Sequence, residues 1–141
     1  MPSDLDVAEA YRARLHLLDA LATTLTTKVK EALDGVGHID RISFRTKDVE
    51  SFVAKAAKPK YTDPLIEIED QVGGRVITFF LDDIPIVRQR MDELFGAVER
   101  EEKQPAGPTQ FGYESDHLIF VIAEHHKPDG WASVADMPKT F

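Results

Sequence analysis

Cysteine is absent from the 141-residue sequence. This absence excludes a disulfide framework, a thiolate zinc site and a cysteine nucleophile. Basic residues are few, because 17 Lys and Arg face 25 Asp and Glu, for a formal net charge of −8. A surface this acidic disfavours nucleic acid as a general partner, since phosphate contacts need Lys and Arg. No apolar run approaches the roughly 18 residues of a membrane helix, so we expect no membrane association.

The remaining composition favours a folded, soluble protein. Hydrophobic residues make up 43% of the chain, which is enough to build a core. The length of 141 residues predicts a single domain spanning residues 1–141. The N-terminal stretch MPSDLDVAEAYRARLHLL is polar and acidic. It is unlike a secretory signal, so we expect a cytoplasmic protein.

Hydrophobic periodicity predicts the element order α-β-α-α-β-α-β-β, with one further strand opening at 137–141. Helical spacing covers a long N-terminal segment, and alternation or β-branched runs mark the strands. The helices are predicted at 4–33, 48–58, 65–71 and 82–95, and the strands at 39–45, 75–81, 98–103 and 117–124. Helices and strands alternate first and a meander follows. We therefore expect an α+β domain in which helices flank one mixed β-sheet.

The first set of candidate site residues forms a basic island. Residues 41–60 contain six basic side chains against two acidic ones, which favours an anion site such as one for a polyphosphate. Arg45 is predicted to end a strand, and Lys47, Ser51 and Lys55 to share one helix face. A solvated, charged helix face is the alternative interpretation.

The second set surrounds a glycine pair. Glu67, Glu69 and Asp70 precede Gly73-Gly74, which leads into a strand that begins with Arg75. Carboxylates at the mouth of a strand are suited to magnesium, which prefers hard oxygen ligands. The glycines would let a ligand or another backbone approach closely. Arg75 could pair with a carboxylate or stack on a base, and an ordinary acidic helix end with a salt bridge is the alternative.

The third set follows a loop rich in Pro and Gly. Tyr113, Ser115 and His117 would project from one face of an extended strand. A tyrosine ring beside hydroxyl and imidazole groups can stack on a nucleobase and hold it. Residues that only fill the edge of a strand are the alternative. The adjacent His125 and His126 would point to opposite sides of an extended chain, so we do not expect them to share a metal ion.

Taken together, the three sets resemble the signatures of the RelA/SpoT family of (p)ppGpp synthetases. The signature R-x-K-x-x-x-S-x-x-x-K is present as Arg45, Lys47, Ser51 and Lys55. The signatures D-x-x-G-x-R-V and G-Y-x-S-x-H are present as Asp70, Gly73, Arg75 and Val76, and as Gly112, Tyr113, Ser115 and His117. The three occur in the family's order between residues 41 and 122. The resemblance implies a nucleotidyltransferase-like fold and transfer of pyrophosphate from ATP to the 3′-hydroxyl of GDP or GTP.

The resemblance also implies a role for each matched residue. Arg45 and Arg75 would enclose adenine, and Asp70 would be the catalytic carboxylate that binds Mg²⁺. The ATP phosphates would be held by Lys47, Ser51 and Lys55. The acceptor nucleotide would be bound by Tyr113, Ser115 and His117, with the tyrosine ring stacked on guanine.

Two departures from the family pattern affect the expected activity. The fourth signature, E-x-Q-x-R, does not occur before Phe141, so we expect a domain that lacks its last catalytic strand and is catalytically incomplete alone. The segment QPAGPTQ at 104–110 lacks the basic residues that relatives often carry. That loop leaves open pyrophosphorylation of the tRNA 3′ end, as in toxic relatives. A non-catalytic module that binds nucleotide or forms a homo-oligomer is the third interpretation.

Overall fold

The computed structural model describes residues 3–102 and 115–141. Within these residues the order of helices and strands is the one that the sequence predicts, and the described chain is an α+β protein with a long N-terminal helix. The elements are α1 (Asp4–Ala32), β1 (Ile39–Thr46), α2 (Val49–Ala56), α3 (Pro64–Glu67), β2 (Val72–Thr78), α4 (Ile84–Phe95), β3 (Arg100–Glu102) and β4 (His117–Ile119).

The long helix α1 is the scaffold on which the other elements pack. It starts with a capping box, in which the Ser3 hydroxyl accepts a hydrogen bond from the Asp6 amide and the Asp6 carboxylate accepts one from the Ser3 amide. Such reciprocal capping satisfies two amides that the first turn leaves unpaired. Gly35, with φ of 82°, follows the helix in the left-handed conformation typical of chain reversals. The buried stripe of α1 lies at the centre of one continuous hydrophobic core, with Tyr11, Leu18, Leu21, Leu25 and Val29 fully buried.

The single mixed sheet that we expected is not what the described residues form. They form two separate two-stranded antiparallel sheets, β1 with β2 and β3 with β4. Periodicity identifies a segment as a strand but contains no information on its partner. Pairing is decided by which strand edges the helices bring together, and here α2 and α3 lie in the connection between β1 and β2.

The region of the glycine pair also differs from the prediction. A helix through residue 71 is wrong: α3 ends at Glu67, a 3₁₀ turn covers Glu69–Gln71, and the glycines lie inside β2. The strand predicted at 75–81 is confirmed as far as Thr78. The burial expected from its β-branched and aromatic residues is wrong, because Arg75 is exposed and Phe79, Phe80 and Leu81 are all more than half exposed. Their apolar character suggested burial, but they follow the end of β2, where the chain turns into α4.

The C-terminal part is held by aromatic packing. Phe95 of α4 has its ring centroid 5.4 Å from that of Phe120 and 5.0 Å from that of Phe141. Phe120 and Phe141 also exchange two backbone hydrogen bonds of 3.0 Å. The predicted last strand is therefore reduced to isolated pairing at the end of the chain, including a bridge between Val121 and Thr140.

None of the helices in the described ranges is long and apolar enough to cross a membrane.

Candidate functional site

The β1–β2 sheet has two faces of opposite chemistry. Its register places Arg45 opposite Gly73 and Ser43 opposite Arg75. Residues paired directly across two strands project to the same face, so both arginines lie on one face as diagonal neighbours. The other face carries Ile42, Phe44 and Val76, which pack against the core. Because side chains alternate between the two faces along each strand, the two exposed arginines lie on one face of the sheet and the apolar residues on the other.

Asp70 lies between two lysines. The Lys47 ammonium nitrogen is 3.0 Å from one oxygen of the Asp70 carboxylate, and the Lys55 ammonium donates a 2.9 Å hydrogen bond to the other. The lysine side chains are 19% and 28% exposed and the aspartate is 47% exposed, so solvent screens this cluster only in part. The structure thus brings the first two predicted sets of residues into direct contact.

Lys47 reaches this cluster from a position that differs from the prediction. It lies between the end of β1 at Thr46 and the N-cap of α2 at Asp48, so it does not share a helix face with Ser51 and Lys55. Those two residues are on α2, four positions apart. The Ser51 hydroxyl and amide both donate to the Asp48 carboxylate, at 3.0 and 2.8 Å. Ser51 therefore lines the site as part of a helix cap.

Electrostatics favour the ionised form of both carboxylates in this region. Burial alone would raise the pKa of Asp70, but the hydrogen bonds and charges of Lys55 and Lys47 outweigh it, and the pKa falls below its ordinary value. The pKa of Asp48 is also lowered, chiefly by the hydrogen bonds from the Ser51 amide and hydroxyl. Both groups are therefore anions at neutral pH.

These residues surround one cavity of about 320 Å³, which is within the usual size of ligand sites. Its lining includes residues from all three predicted sets, although they are far apart in the chain. Among the described residues, Arg45 and Arg75 have no carboxylate within 4.0 Å, so their charge is available to a ligand. The lining consists of Ser43, Arg45, Lys47, Asp48, Ser51, Asp70, Gly73, Gly74, Arg75 and His117.

The predicted acceptor residues are only partly gathered at this cavity. His117, at the start of β4, lines it. Ser115 is exposed, precedes β4 by two positions and does not line the cavity. Tyr113 and Gly112 lie outside the described residues. The structure therefore places one of the three predicted acceptor residues beside the residues predicted to bind ATP.

The two glycines have different surroundings. A Cβ atom built on Gly74 would lie 2.3 Å from the Phe44 ring, whereas one on Gly73 would meet no atom within 4 Å. Close approach, expected at this pair, thus occurs at Gly74, and the approaching group is a side chain of the neighbouring strand. Gly73 borders the open cavity.

The residues of this site fit a magnesium ion that arrives with a phosphate ligand. Asp70 provides an ionised carboxylate on the cavity wall, and magnesium commonly takes one or two carboxylates with phosphate oxygens and waters. Within residues 3–102 and 115–141, no group of three or more His, Asp or Glu side chains forms a ready-made metal cage. Glu67 and Glu69, the other candidates, are hydrogen-bonded elsewhere, to the Asp63 amide and to Arg100.

Three buried polar residues behind the cavity are absent from the candidates that the sequence suggests. The Tyr11 hydroxyl donates to the Lys47 carbonyl, and Arg14 donates to the side chain of Gln71. One signal could have identified Arg14: it lies three residues after Tyr11, within the apolar stripe of α1, where a charge is unusual. No comparable signal marks Gln71.

Comparisons with protein-family models, with curated proteins and with solved structures find no match for this chain.

A second hollow of about 570 Å³ lies among residues 121–139, with a largely apolar lining. None of the predicted site residues borders it. The candidate site therefore rests on the residues around the 320 Å³ cavity.

Proposed function

We propose that this chain is a nucleotide-binding domain of the RelA/SpoT synthetase kind, with a nucleotidyltransferase-like fold. Its reaction would transfer pyrophosphate from ATP to the 3′-hydroxyl of GDP or GTP. The observation that supports this proposal is that residues of three separate sequence signatures line one cavity. Arg45 and Lys47 come from the first, Asp70 and Arg75 from the second, and His117 from the third.

The charges around the cavity suit a nucleoside triphosphate. Four basic side chains, Arg45, Lys47, Lys55 and Arg75, outnumber the two carboxylates of Asp48 and Asp70 on a protein whose net charge is −8. A local positive site attracts phosphate, whereas the negative charge on the rest of the protein repels an extended nucleic acid. The exposed guanidinium planes on the sheet also provide flat surfaces on which adenine can stack.

In the proposed reaction the acceptor's 3′-oxygen attacks the β-phosphorus of ATP. The bond from that phosphorus to the oxygen shared with the α-phosphate breaks, AMP leaves with the electron pair, and the acceptor's hydroxyl proton passes to a base or to water. Such transfers depend mainly on positioning and on neutralising charge. Lys47 and Lys55 would exchange the Asp70 carboxylate for phosphate oxygens, which leaves that carboxylate facing the ligand. Magnesium, held there by Asp70, would supply further positive charge to the phosphates.

Turnover by this chain alone should be slow. Asp48 is engaged as the cap of α2, and Asp70 is paired with two lysines before the ligand binds and would hold magnesium afterwards. A carboxylate held as an anion by strong donors is a poor proton acceptor, because its pKa lies far below neutrality. We therefore expect nucleotide binding to be measurable under conditions in which transfer is barely detectable.

Calorimetric titration with α,β-methylene ATP and magnesium tests the donor site, since this analogue lacks the oxygen bridge that the reaction cleaves. Lys47→Met should weaken binding about ten- to hundredfold, the usual effect of removing a hydrogen bond to a charged group. Lys28→Met is the matched control, because Lys28 is on the exposed side of α1 near Glu31. Absence of binding by the parent chain, or equal losses in the two variants, would contradict the proposal.

Incubation with labelled ATP and a choice of acceptors tests the second half of the reaction. Label appearing in a guanosine tetra- or pentaphosphate supports the guanosine acceptor. Label on the 3′ end of tRNA, with none on GDP or GTP, would replace that acceptor by RNA. Analogue binding without any transfer would indicate a nucleotide-binding module instead.

A further inference from the structure

Lys47 and Gln71, the residue that follows Asp70, are both linked to α1 by a closed ring of buried and partly buried hydrogen bonds. The Lys47 amide donates to the Gln71 carbonyl at 2.8 Å, and the Lys47 carbonyl accepts from the Tyr11 hydroxyl at 2.5 Å. The Gln71 side-chain oxygen in turn accepts from Arg14 at 3.2 Å. Tyr11 and Arg14 are three residues apart, so they lie on one face of α1.

We infer that Tyr11 and Arg14 are positioning residues of the cavity, which fix the spacing between Lys47 and Asp70 from behind. This inference rests on the proposed function for its ligand, a magnesium–nucleoside triphosphate. Both backbone groups of Lys47 are held, and the residue that follows Asp70 is held through its side chain and its carbonyl. Neither α1 residue lines the cavity, so each acts through another residue.

The burial of this network indicates that its main effect is to fix the positions of the segments that it joins. Arg14 is 2% exposed and Gln71 is fully buried. The partners of the Arg14 guanidinium are neutral oxygens, namely the Gln71 side chain and the carbonyls of Leu65, Ala135 and Asp136. Burying a charge without a carboxylate partner costs stability. Its directional donors nevertheless join α1, the segment before β2 and the C-terminal loop at a single point.

The Tyr11 hydroxyl is suited to its part in this network. Burial raises the pKa of Tyr11 well above its ordinary value, so the hydroxyl stays protonated and donates. The Tyr11 ring stacks on that of Phe52 with centroids 3.9 Å apart and planes 9° apart. Tyr11→Phe preserves this ring packing and removes only the donor. The variant therefore separates positioning from stability.

The test combines a ligand-free measurement with a binding measurement. In the first, hydrogen exchange of the Lys47 amide is followed by NMR, with the Ile122 amide, bonded to the Lys139 carbonyl, as internal reference. In the second, affinity for magnesium and α,β-methylene ATP is measured for Tyr11→Phe, Lys47→Met and the double variant. Tyr61→Phe is the control, since it removes a hydroxyl from a half-buried tyrosine outside the network.

We expect Tyr11→Phe to melt near the parent temperature, to accelerate exchange of the Lys47 amide and to weaken analogue binding about three- to tenfold, as for one lost hydrogen bond. The loss should vanish in the Lys47→Met background, because the hydroxyl acts through that lysine. Arg14→Lys, which retains the charge and loses the planar fork, should also weaken analogue binding, through Gln71 and the neighbouring Asp70.

Two results would overturn the inference: unchanged exchange at the Lys47 amide, or losses of affinity that add in the double variant. Faster exchange in Tyr11→Phe, together with no analogue binding by any variant or by the parent, would sustain the positioning role and refute the proposed nucleotide function. The two hypotheses therefore fail separately.

Discussion

The two parts of this molecule share one hydrophobic core but differ in the contacts that supplement it. Around the candidate site, α1, β1, α2 and β2 are joined by directional contacts, namely the hydrogen bonds of Tyr11 and Arg14 and the ion pairs of Asp70. In the C-terminal part, α4 and the chain end are joined by the rings of Phe95, Phe120 and Phe141. Apolar packing is strong and nondirectional, whereas hydrogen bonds contribute less net stability but specify distance and angle.

This difference indicates that the two sets of contacts have different effects on the protein. The aromatic cluster supplies cohesion, and the polar network sets the relative positions of charged groups that border the cavity. Substitutions in the two parts should therefore affect different measurements.

Phe95→Ala should have the largest effect on stability. The side chain is buried and contacts three other rings, so its removal should lower the free energy of unfolding by about 3–5 kcal/mol, as measured by urea denaturation. Phe79→Ala is the control, because that ring is 62% exposed and its loss should change stability by no more than about 0.5 kcal/mol. Affinity of the folded Phe95 variant for α,β-methylene ATP should stay within about twofold of the parent. A tenfold loss of affinity would show that the two parts are not separate.

The glycine pair provides a matched comparison at the site itself. Gly74→Ala should lower the free energy of unfolding by about 1–3 kcal/mol, since the new methyl group would overlap the Phe44 ring and overpacking has costs of this order. Gly73→Ala has open space around its Cβ and should leave stability nearly unchanged while reducing nucleotide affinity. Chemical denaturation of both variants checks this. Phe44→Leu, which shortens the side chain, should restore part of the stability that Gly74→Ala loses. Equal stability of Gly73→Ala and Gly74→Ala would refute the close contact between Gly74 and the Phe44 ring.

His126 should make the aromatic part sensitive to acid. It is buried, and burial lowers its pKa, with nearby His125 and Lys28 lowering it further. A histidine with a depressed pKa in the folded state favours folding above its unfolded pKa of 6.5. That stability is lost as pH falls from there through the folded pKa, because the unfolded chain then binds the extra proton. Thermal melts between pH 7.5 and 4.5 should show a shallower decline for His126→Phe than for the parent or for His16→Phe, a control on the exposed face of α1. Parallel declines in all three would contradict the prediction.

The smallest effect is expected at the ion pairs between α4 and the second sheet. Arg88 lies 2.9 Å from Glu101 and 3.8 Å from Asp116, and about a third of its side chain is exposed. Pairs of this kind typically contribute about 0–1 kcal/mol, so Arg88→Ala should change stability within that range. The difference should shrink in high salt, because mobile ions screen exposed charges. A loss above about 2 kcal/mol, measured by denaturation, would show that this cluster contributes more than exposed pairs do.

Local patterns in the sequence predicted the elements well and their partners poorly. The long helix and the order of the eight main elements are confirmed, because periodicity acts over a few residues. The single sheet, the helix through residue 71 and the burial of Phe79–Leu81 are wrong. Each of these depended on a distant partner that no local pattern specifies.

The same distinction applies to the candidate site. Sequence motifs alone named Arg45, Lys47, Asp70 and Arg75, since the chemistry of phosphate and metal recognition depends on residue type. The motifs do not predict which of those side chains contact one another. The antiparallel register of β1 and β2 brings Lys47, which follows β1, beside Asp70, which precedes β2, and α2 adds Lys55.

The residue types at the cavity, the apolar stripe of α1 and the acidic composition around a basic island follow from the sequence alone. Folding was needed to place Tyr11 and Arg14 behind that island and Gly74 under the Phe44 ring. The two kinds of feature differ in how far apart the interacting residues lie in the chain. Propensity, capping and charge composition are properties of neighbouring residues, whereas the distance between Lys47 and Asp70 is set by packing among segments that the chain connects only through long intervening stretches.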